Sequence, residues 1–185
     1  MNQFGYGKKQ NDFMAILELK ITHDQKLEAD TKYSQFKLEH GENGYNKYSF
    51  CKGANVLDSF LSQIVIADYF NLEKDCDTYD YDFISNNGKK IDLKTKSKSN
   101  IPPKPDWYAS VPAYQQRQKC DYYFFNRINR DLTVLWFVGY IEKLEFWKKS
   151  TSFKTGDIDP SSSKNKPWVF PADTNCIEIK NLKHF

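Results

Sequence analysis

Three side chains near the middle of the chain have the types and spacing suited to metal-dependent chemistry. Asp82 comes ten positions before the triplet Asp92-Leu93-Lys94. Two neighbouring carboxylates repel each other, and a hard divalent cation such as Mg²⁺ relieves that repulsion while it binds their oxygens. A lysine on the same strand face can position a water molecule or neutralise charge on a phosphate. Together these groups have the chemistry of metal-assisted phosphodiester hydrolysis.

The elements that position these residues are predicted to form a β-hairpin. Residues 79–83 alternate between aromatic residues and aspartate, which is typical of a strand. The run Asn-Asn-Gly at 86–88 predicts a turn, because Asn and Gly tolerate a positive φ. Residues 91–96 alternate again, with the aspartate and the lysines on one face. The hairpin therefore brings the two aspartates and the lysine of the triplet to one side.

The acid-x-lysine spacing carries little information by itself. With 24 acidic and 27 basic residues in 185, composition predicts about three or four such pairs, and the chain has five. They are Glu18/Lys20, Asp24/Lys26, Asp30/Lys32, Asp92/Lys94 and Glu178/Lys180. The Asp92 pair alone combines strand-like alternation with a second aspartate on the preceding strand and a long helix before that. The competing interpretation is an ordinary hairpin whose solvated face carries a salt bridge.

The arrangement of Asp82 and Asp92-Leu93-Lys94, on consecutive strands after a helix, resembles the core motif of the PD-(D/E)XK nuclease superfamily. The resemblance covers about residues 52–140. It implies a restriction-endonuclease-like fold and a Mg²⁺ or Mn²⁺ ion bound by the two aspartates and the Leu93 carbonyl. It also implies that Lys94 serves the attacking water. Tyrosine precedes Asp82 where the family pattern has proline, although that proline is often absent.

The clearest predicted helix covers about residues 54–71 and is apolar around much of its circumference. We expect it to be largely buried against a sheet. In the resembled family a helix at this place often turns an acid toward the metal. Asp58 is the nearest candidate for that catalytic helper, with Gln63 or Asn55 as substitutes. An equal alternative is that Asp58 faces water or interacts with the helix dipole.

A second catalytic helper is expected on a short helix over Val111–Lys119, with Pro112 in its first turn. In members of the resembled family, a Gln or Lys on the helix after the triplet reaches the active-site phosphate. The sequence does not distinguish among the three glutamines of the segment, Gln115, Gln116 and Gln118. Gln118, which shares a helical face with Gln115, is taken as the candidate. The alternative is an ordinary solvated helix face.

Charge distribution points to a polyanionic partner more clearly than the net charge of +3 does. Lysines crowd the region of the hairpin beside the two acids, a pattern that suits a polyanion approaching a metal. DNA is the expected partner, with RNA as the alternative. The lysines assigned to nucleic-acid contact are Lys89, Lys90, Lys96 and Lys98. The competing interpretation is a soluble, lysine-rich loop.

The rest of the chain predicts an α/β domain with a mixed central β-sheet flanked by helices. Residues 121–128 and 132–141 are apolar enough to be buried strands, and 142–149 should be a helix. Near-continuous apolar strands need cover on both faces, so we expect helices on both sides. The expected organisation is one domain over 1–185, with a nuclease-like core at 52–150 and a C-terminal extension at 151–185. In that extension, Trp168–Phe170 and Ile177–Ile179 can add edge strands or pack over the core.

The N-terminal third gives weaker signals. Residues 13–21 can be a strand or the end of a helix. Tyr33–Leu38 and Tyr45–Phe50 flank a Gly-Glu-Asn-Gly run at 41–44, which predicts a hairpin or a long turn there.

Composition excludes several classes of protein. Hydrophobic residues make up 39% and aromatic residues 16%, which argues against a disordered or fibrous chain. There is no apolar run that could cross a membrane and no secretory signal, so a cytoplasmic protein without a membrane partner is expected. Four scattered cysteines without a C-x-x-C pair make a zinc site or a disulfide unexpected.

Two other functions stay open. The absence of a clear acid on the predicted helix motivates a catalytically inactive nucleic-acid-binding module of the same fold. A protein-binding domain is the third possibility. Trp107 and Tyr108 can stack on bases if they are exposed, or belong to the core if they are buried. Because nucleases of the resembled class often dimerise to cut both strands, a homodimer is a further expectation.

Overall fold

The computed structural model describes residues 16–40, 54–73, 79–99, 101–163, 165 and 167–184. The elements of this part are, in chain order, β1 (Leu17–Lys20), α1 (His23–His40), α2 (Ala54–Phe70), β2 (Phe83–Ile84), β3 (Lys90–Ser99), β4 (Tyr108–Pro112), β5 (Tyr122–Asn129), β6 (Val134–Glu142), α3 (Lys143–Lys149), β7 (Thr151–Phe153) and β8 (Thr174–Glu178). Short 3₁₀ helices cover Ala113–Arg117 and Ile179–Asn181. None of the helices described is both long enough and apolar enough to cross a membrane.

The larger of two sheets has five strands in the order β1-β6-β5-β3-β2. Strand β3 runs parallel to β5, and the other three pairs are antiparallel. This mixed sheet confirms the predicted α/β class with a mixed central sheet. The smaller sheet is antiparallel, in the order β4-β8-β7.

The two faces of the larger sheet are covered differently. Helix α2 packs on one face, where its Ile64 lies in one apolar cluster with Ile91 and Phe124. The opposite face carries Tyr123 and Phe125, which share a second cluster with residues of the small sheet and of α3. Helices therefore flank the larger sheet, as expected, but on its second face α3 and the small sheet together form the cover.

Helix α2 confirms the predicted helix over 54–71. Leu61, Ile64 and Ile66 are almost fully buried, and each such side chain contributes about 1.5–3 kcal/mol by leaving water. Burial around most of the helix explains why its apolar residues do not keep to one stripe.

The predicted strands and helix after the hairpin are confirmed as β5, β6 and α3. For 177–179 the edge-strand alternative is wrong, because β8 is the middle strand of the small sheet, paired with β4 and β7, and the alternative of packing over the core is confirmed. Within the C-terminal segment, Ile177 and Ile179 are buried.

The predicted helix over Val111–Lys119 is wrong. Residues up to Pro112 form β4, with Ala109 and Val111 buried in alternation, and a 3₁₀ helix follows. Strand β4 pairs along its whole length with β8, a partner more than sixty positions later that local sequence patterns do not reveal.

The predicted strand over 79–83 is also wrong for most of its length, since regular pairing begins at Phe83. Polar groups of the preceding residues bond elsewhere instead. Asp80 accepts a hydrogen bond from the Lys119 backbone, and the Tyr79 carbonyl accepts one from Gln118. The alternating aromatic residues at 79–83 therefore reflect local packing and not pairing in a β-sheet.

The predicted hairpin involving Tyr33–Leu38 is wrong, because these residues belong to α1. The helix begins with a reciprocal capping box, in which Thr22 and Gln25 each donate a backbone N–H to the side chain of the other. This Thr-x-x-Gln spacing is the signal that predicts the helix. The companion segments at 41–44 and Tyr45–Phe50 lie outside the described residues. The open alternative for 13–21 resolves as strand β1 within the part described.

Candidate active site

The hairpin of β2 and β3 places Asp82 beside β3. A turn at 86–88 closes the hairpin, with Gly88 at a φ of 77°, as the sequence predicts. Strand pairing ends at Phe83 and Ile91, and the Asp82 N–H still donates to the Ile91 carbonyl at 2.9 Å. Beyond this point the Asp82 side chain, and not a further strand residue, lies along the edge of β3.

Both oxygens of the Asp82 carboxylate are oriented by donors. Oδ2 accepts a hydrogen bond of 2.6 Å from the Leu93 backbone N–H, and Oδ1 accepts one of 2.9 Å from Gln63 Nε2. Because the N–H and C=O of one strand residue point to the same edge, the Leu93 carbonyl also lies on the Asp82 side. The backbone position predicted to help bind a metal is therefore next to the first carboxylate.

Asp92 and Lys94 form a close ion pair on one face of β3. The Asp92 Oδ2 to Lys94 Nζ distance is 2.5 Å, and their side chains are only 6% and 14% exposed. Burial raises the pKa of Asp92, and Lys94 and hydrogen bonds with Asp82 and Gln118 oppose that rise. Asp82, Lys94 and Gln118 thus all act on the Asp92 carboxyl group.

Gln118 lies at this site, although a 3₁₀ turn and not an α-helix carries it. Its side chain is buried, and Nε2 donates to the Tyr79 carbonyl at 2.8 Å. Its backbone N–H bonds to Gln115, and its carbonyl accepts from Lys143. The Gln118 Oε1 atom is buried without a hydrogen-bond partner among the described residues, which leaves an oxygen ready for a ligand.

On α2, Gln63 and not Asp58 contacts the Asp82 carboxylate. Asp58 is also buried, but five residues of α-helix separate the two positions, which places their side chains about 140° apart around the helix axis. No contact between Asp58 and the other site residues is seen in the described part of the chain. The predicted substitute Gln63 is thus the α2 residue at the site, and the side chain of Asn55 lies outside the described residues.

The donor atoms at this site fit a hard divalent cation. Asp82, Asp92 and the Leu93 carbonyl all offer oxygen, the ligand type that Mg²⁺ and Mn²⁺ take. Asp92 Oδ2 has no hydrogen-bond partner in the described residues apart from its ion pair. Among the described residues, no three His, Cys, Asp or Glu side chains are grouped so that they could hold a metal ion. The candidate ligands are therefore two carboxylates and a backbone carbonyl.

The lysines assigned to nucleic-acid contact occupy two regions. At the turn end of the hairpin, Lys89 lies 3.4 Å from Asp121 and Lys90 lies over the Tyr81 ring. Lys96 follows Lys94 on the same strand face and pairs with a distant acid, Asp159, at 3.3 Å. The side chain of Lys98 lies outside the described residues.

A shallow surface depression of about 490 Å³ is lined by Ala113, Tyr114, Gln116 and Arg117, on the 3₁₀ helix that precedes Gln118. Arg117 Nε donates to the Tyr79 hydroxyl at 3.1 Å, and Tyr79 is also the residue whose carbonyl holds Gln118. Tyr79 therefore contacts both a residue of this depression and a residue of the candidate site.

Sequence reasoning missed two residues near the site. Arg127 lies beside Lys96 because β3 and β5 pair in parallel, and Asp159 reaches Lys96 from a loop more than sixty positions later. No local pattern marks either residue. Buried Cys120 also lies close to Asp92, but burial raises the pKa of its thiol to about 12, so it is not a nucleophile at neutral pH.

Comparison with models of known protein families gives no match, and comparison with curated proteins gives none. The functional proposal therefore depends on the geometry of the site.

Proposed function

We propose that this chain is a divalent-metal-dependent nuclease of the PD-(D/E)XK type that hydrolyses phosphodiester bonds in DNA. The observation that supports the proposal is the convergence of Asp82, Asp92 and Lys94 in a largely buried cluster. A solvated hairpin face, the competing interpretation, predicts exposed side chains, whereas Asp92 is 4% exposed. Two carboxylates beside one lysine carry an excess of negative charge, which a bound divalent cation would neutralise.

The residues have separate roles in this mechanism. Asp82, Asp92 and the Leu93 carbonyl would hold Mg²⁺ or Mn²⁺, which when bound stabilises charge on the phosphate and acidifies water. The Lys94 ammonium, oriented by Asp92, would position the attacking water or contact a phosphate oxygen. Gln63 and the Leu93 N–H fix the Asp82 carboxylate before a ligand arrives, which lowers the cost of assembling the site.

Cleavage assays test the proposal. Supercoiled and linear DNA are incubated with purified protein in Mg²⁺, Mn²⁺ or EDTA, using wild type and Asp92→Ala. We expect metal-dependent cleavage by wild type and none by the variant. The matched control is Glu178→Gln, since Glu178 has the same acid-x-lysine spacing and a 2.7 Å ion pair to Lys180 far along the chain. A control variant as inactive as Asp92→Ala would contradict the assignment.

A non-cleaving nucleic-acid-binding module is the second candidate. The observation that favours it is the neutral Gln63 amide at the position where an acid would add a third carboxylate. This candidate predicts salt-sensitive DNA binding in EDTA and intact DNA after long incubation with either metal. Metal-dependent cleavage lost in Asp92→Ala would exclude it.

A further inference from the structure

A second cationic cluster lies along β3 from the candidate active site. Lys96 is in register with Arg127 on β5, and the two are on the same sheet face as Lys94. The Lys96 side chain is 27% exposed, and its ammonium lies 3.3 Å from Asp159 Oδ2. Two positions along a strand correspond to about 6.6 Å, so Lys96 lies roughly one nucleotide step from Lys94.

The cluster has an excess of positive charge. Burial lowers the pKa of Arg127 to about 10, so the guanidinium stays protonated at neutral pH. Arg127 donates to the Tyr108 carbonyl at 3.2 Å and lies 4.7 Å from the centre of the Trp107 ring. Among the described residues, Asp159 is the one carboxylate whose charge acts on it. Burial and the charge of Arg127 lower the pKa of Lys96, so two groups whose positive charges repel each other face one acid, and an added anion would relieve that repulsion.

The loop after β7 holds Asp159 in place and adds an aromatic ring. Asp159 accepts hydrogen bonds from the backbone N–H and hydroxyl of Ser161, and its own N–H donates to the Trp168 carbonyl at 2.8 Å. The Trp168 ring lies 5.8 Å from Lys96 Nζ and is 48% exposed. Its neighbours Ile158 and Val169 form a β-bridge and are about half exposed. An exposed apolar rim therefore borders the cations.

We infer that Lys96, Arg127 and Trp168 form a subsite for an unpaired nucleotide of the substrate strand. The two cations bind its phosphate, in competition with Asp159, and the Trp168 ring stacks on its base. A base inside a duplex is stacked on both faces, so the ring selects single-stranded DNA or a frayed end. The inference rests on the proposed function in that the substrate is a nucleic acid.

Charge complementarity favours a nucleic acid over a protein segment at this rim. An apolar protein partner would use Ile158, Trp168 and Val169 but would bury beneath it the positive charge that Asp159 alone does not balance. A phosphate next to a planar base satisfies both parts of the surface at once.

The test measures binding by fluorescence anisotropy in EDTA, with a labelled twelve-nucleotide oligothymidylate and a duplex of the same length. Trp168→Ala should weaken single-strand binding by roughly tenfold and duplex binding much less, as expected for one lost base stack. Trp168→Phe keeps an aromatic face and should stay within about twofold of wild type. Tyr69→Ala, which removes an aromatic ring that is 53% exposed on α2, is the matched control and should change neither affinity.

A second variant tests the cations. Lys96→Gln should lower the slope of log affinity against log salt for the single strand by about 0.7, the value for one lost phosphate contact. An unchanged slope, or equal weakening of single strand and duplex by Trp168→Ala, would overturn the inference. Failure of wild type to bind either DNA would also overturn it.

The outcomes separate the subsite from the nuclease. Metal-dependent cleavage together with unchanged binding by Trp168→Ala would support the nuclease and contradict the subsite. Single-strand binding that depends on Trp168, without cleavage in any metal, would support the subsite and contradict the nuclease.

Discussion

At the scale of single residues, the ion pair of Asp92 and Lys94 contributes to the free energy of unfolding. Both side chains are largely buried, so removing one leaves the other as an unpaired charge. We predict that Lys94→Ala lowers the free energy of unfolding by about 3–5 kcal/mol. Urea denaturation followed by circular dichroism measures this value.

The exposed pair of Lys180 and Glu178 provides the comparison. The two side chains are 2.7 Å apart but 52% and 29% exposed, so Lys180→Ala should cost no more than about 1 kcal/mol. Equal losses for the two lysine variants would show that the Asp92 pair behaves as a surface salt bridge.

Two buried cysteines give another prediction at the residue scale. Burial raises the pKa of Cys120 and of Cys176 to about 12, so below that pH the thiols stay protonated and the reactive thiolate is scarce. At pH 8, iodoacetamide should label these residues far more slowly in the native protein than in urea, with each site mapped by peptide mass spectrometry. Native labelling of Cys120 at the rate found in urea would contradict its burial.

Among the elements, β6 depends on a glycine where the C-terminal segment crosses it. Gly139 has a φ of 128°, and a Cβ there would lie 2.7 Å from the Lys183 carbonyl oxygen. Tyr140 and Lys183 exchange backbone hydrogen bonds at the same point. We predict that Gly139→Ala destabilises the protein by about 3 kcal/mol or more.

Gly88→Ala is the control for backbone conformation alone. Gly88 also has a positive φ, 77°, but no atom lies within 4 Å of its would-be Cβ. Its substitution should cost about 1–2 kcal/mol, from the left-handed conformation only. If the two variants unfold at the same urea concentration, the close approach to Lys183 is not a constraint on β6.

Elements with a strong local signal could be predicted from the sequence. The apolar helix α2, the turn at 86–88 and the apolar strands β5 and β6 each contain their own evidence. The segment at 111–119 has no such local signal, because its strand β4 pairs with a distant partner, β8. Gln118 nevertheless lies at the site. Because β3 and β5 pair in parallel, the chain between them must return to the start of β3, and Gln118 lies just before β5.

At the scale of the whole molecule, the C-terminal residues form part of the core. Strand β8 is the middle strand of the small sheet, and Phe170, Ile177 and Ile179 are almost fully buried. Each such side chain is worth about 1.5–3 kcal/mol, against a total stability of about 5–15 kcal/mol for a domain. We predict that a chain ending at Ser150 does not fold.

Circular dichroism and a urea transition on the shortened chain measure this. A cooperative transition with native-like α/β content would show that residues 151–185 are not needed for folding. Removal of only the last residue, Phe185, is the control for truncation itself.

Assembly of the site also depends on the whole fold. The sequence places Asp82, Asp92 and Lys94 on one hairpin, so their proximity could be predicted locally. The hydrogen bond from Gln63 and the position of Arg127 beside Lys96 could not, because they require the packing of α2 and the parallel pairing of β3 with β5. Tertiary contacts of this kind have no periodic signature in the chain.

The initial rate of plasmid cleavage by Asp82→Asn, in Mg²⁺, tests the central claim most directly. The substitution keeps the shape of the side chain and one oxygen but removes the charge that would bind the metal. We predict that wild type cleaves in Mg²⁺ and not in EDTA, and that the folded variant is slower by about a hundredfold or more. Cleavage by the variant at the wild-type rate would contradict a metal centre at Asp82 and Asp92.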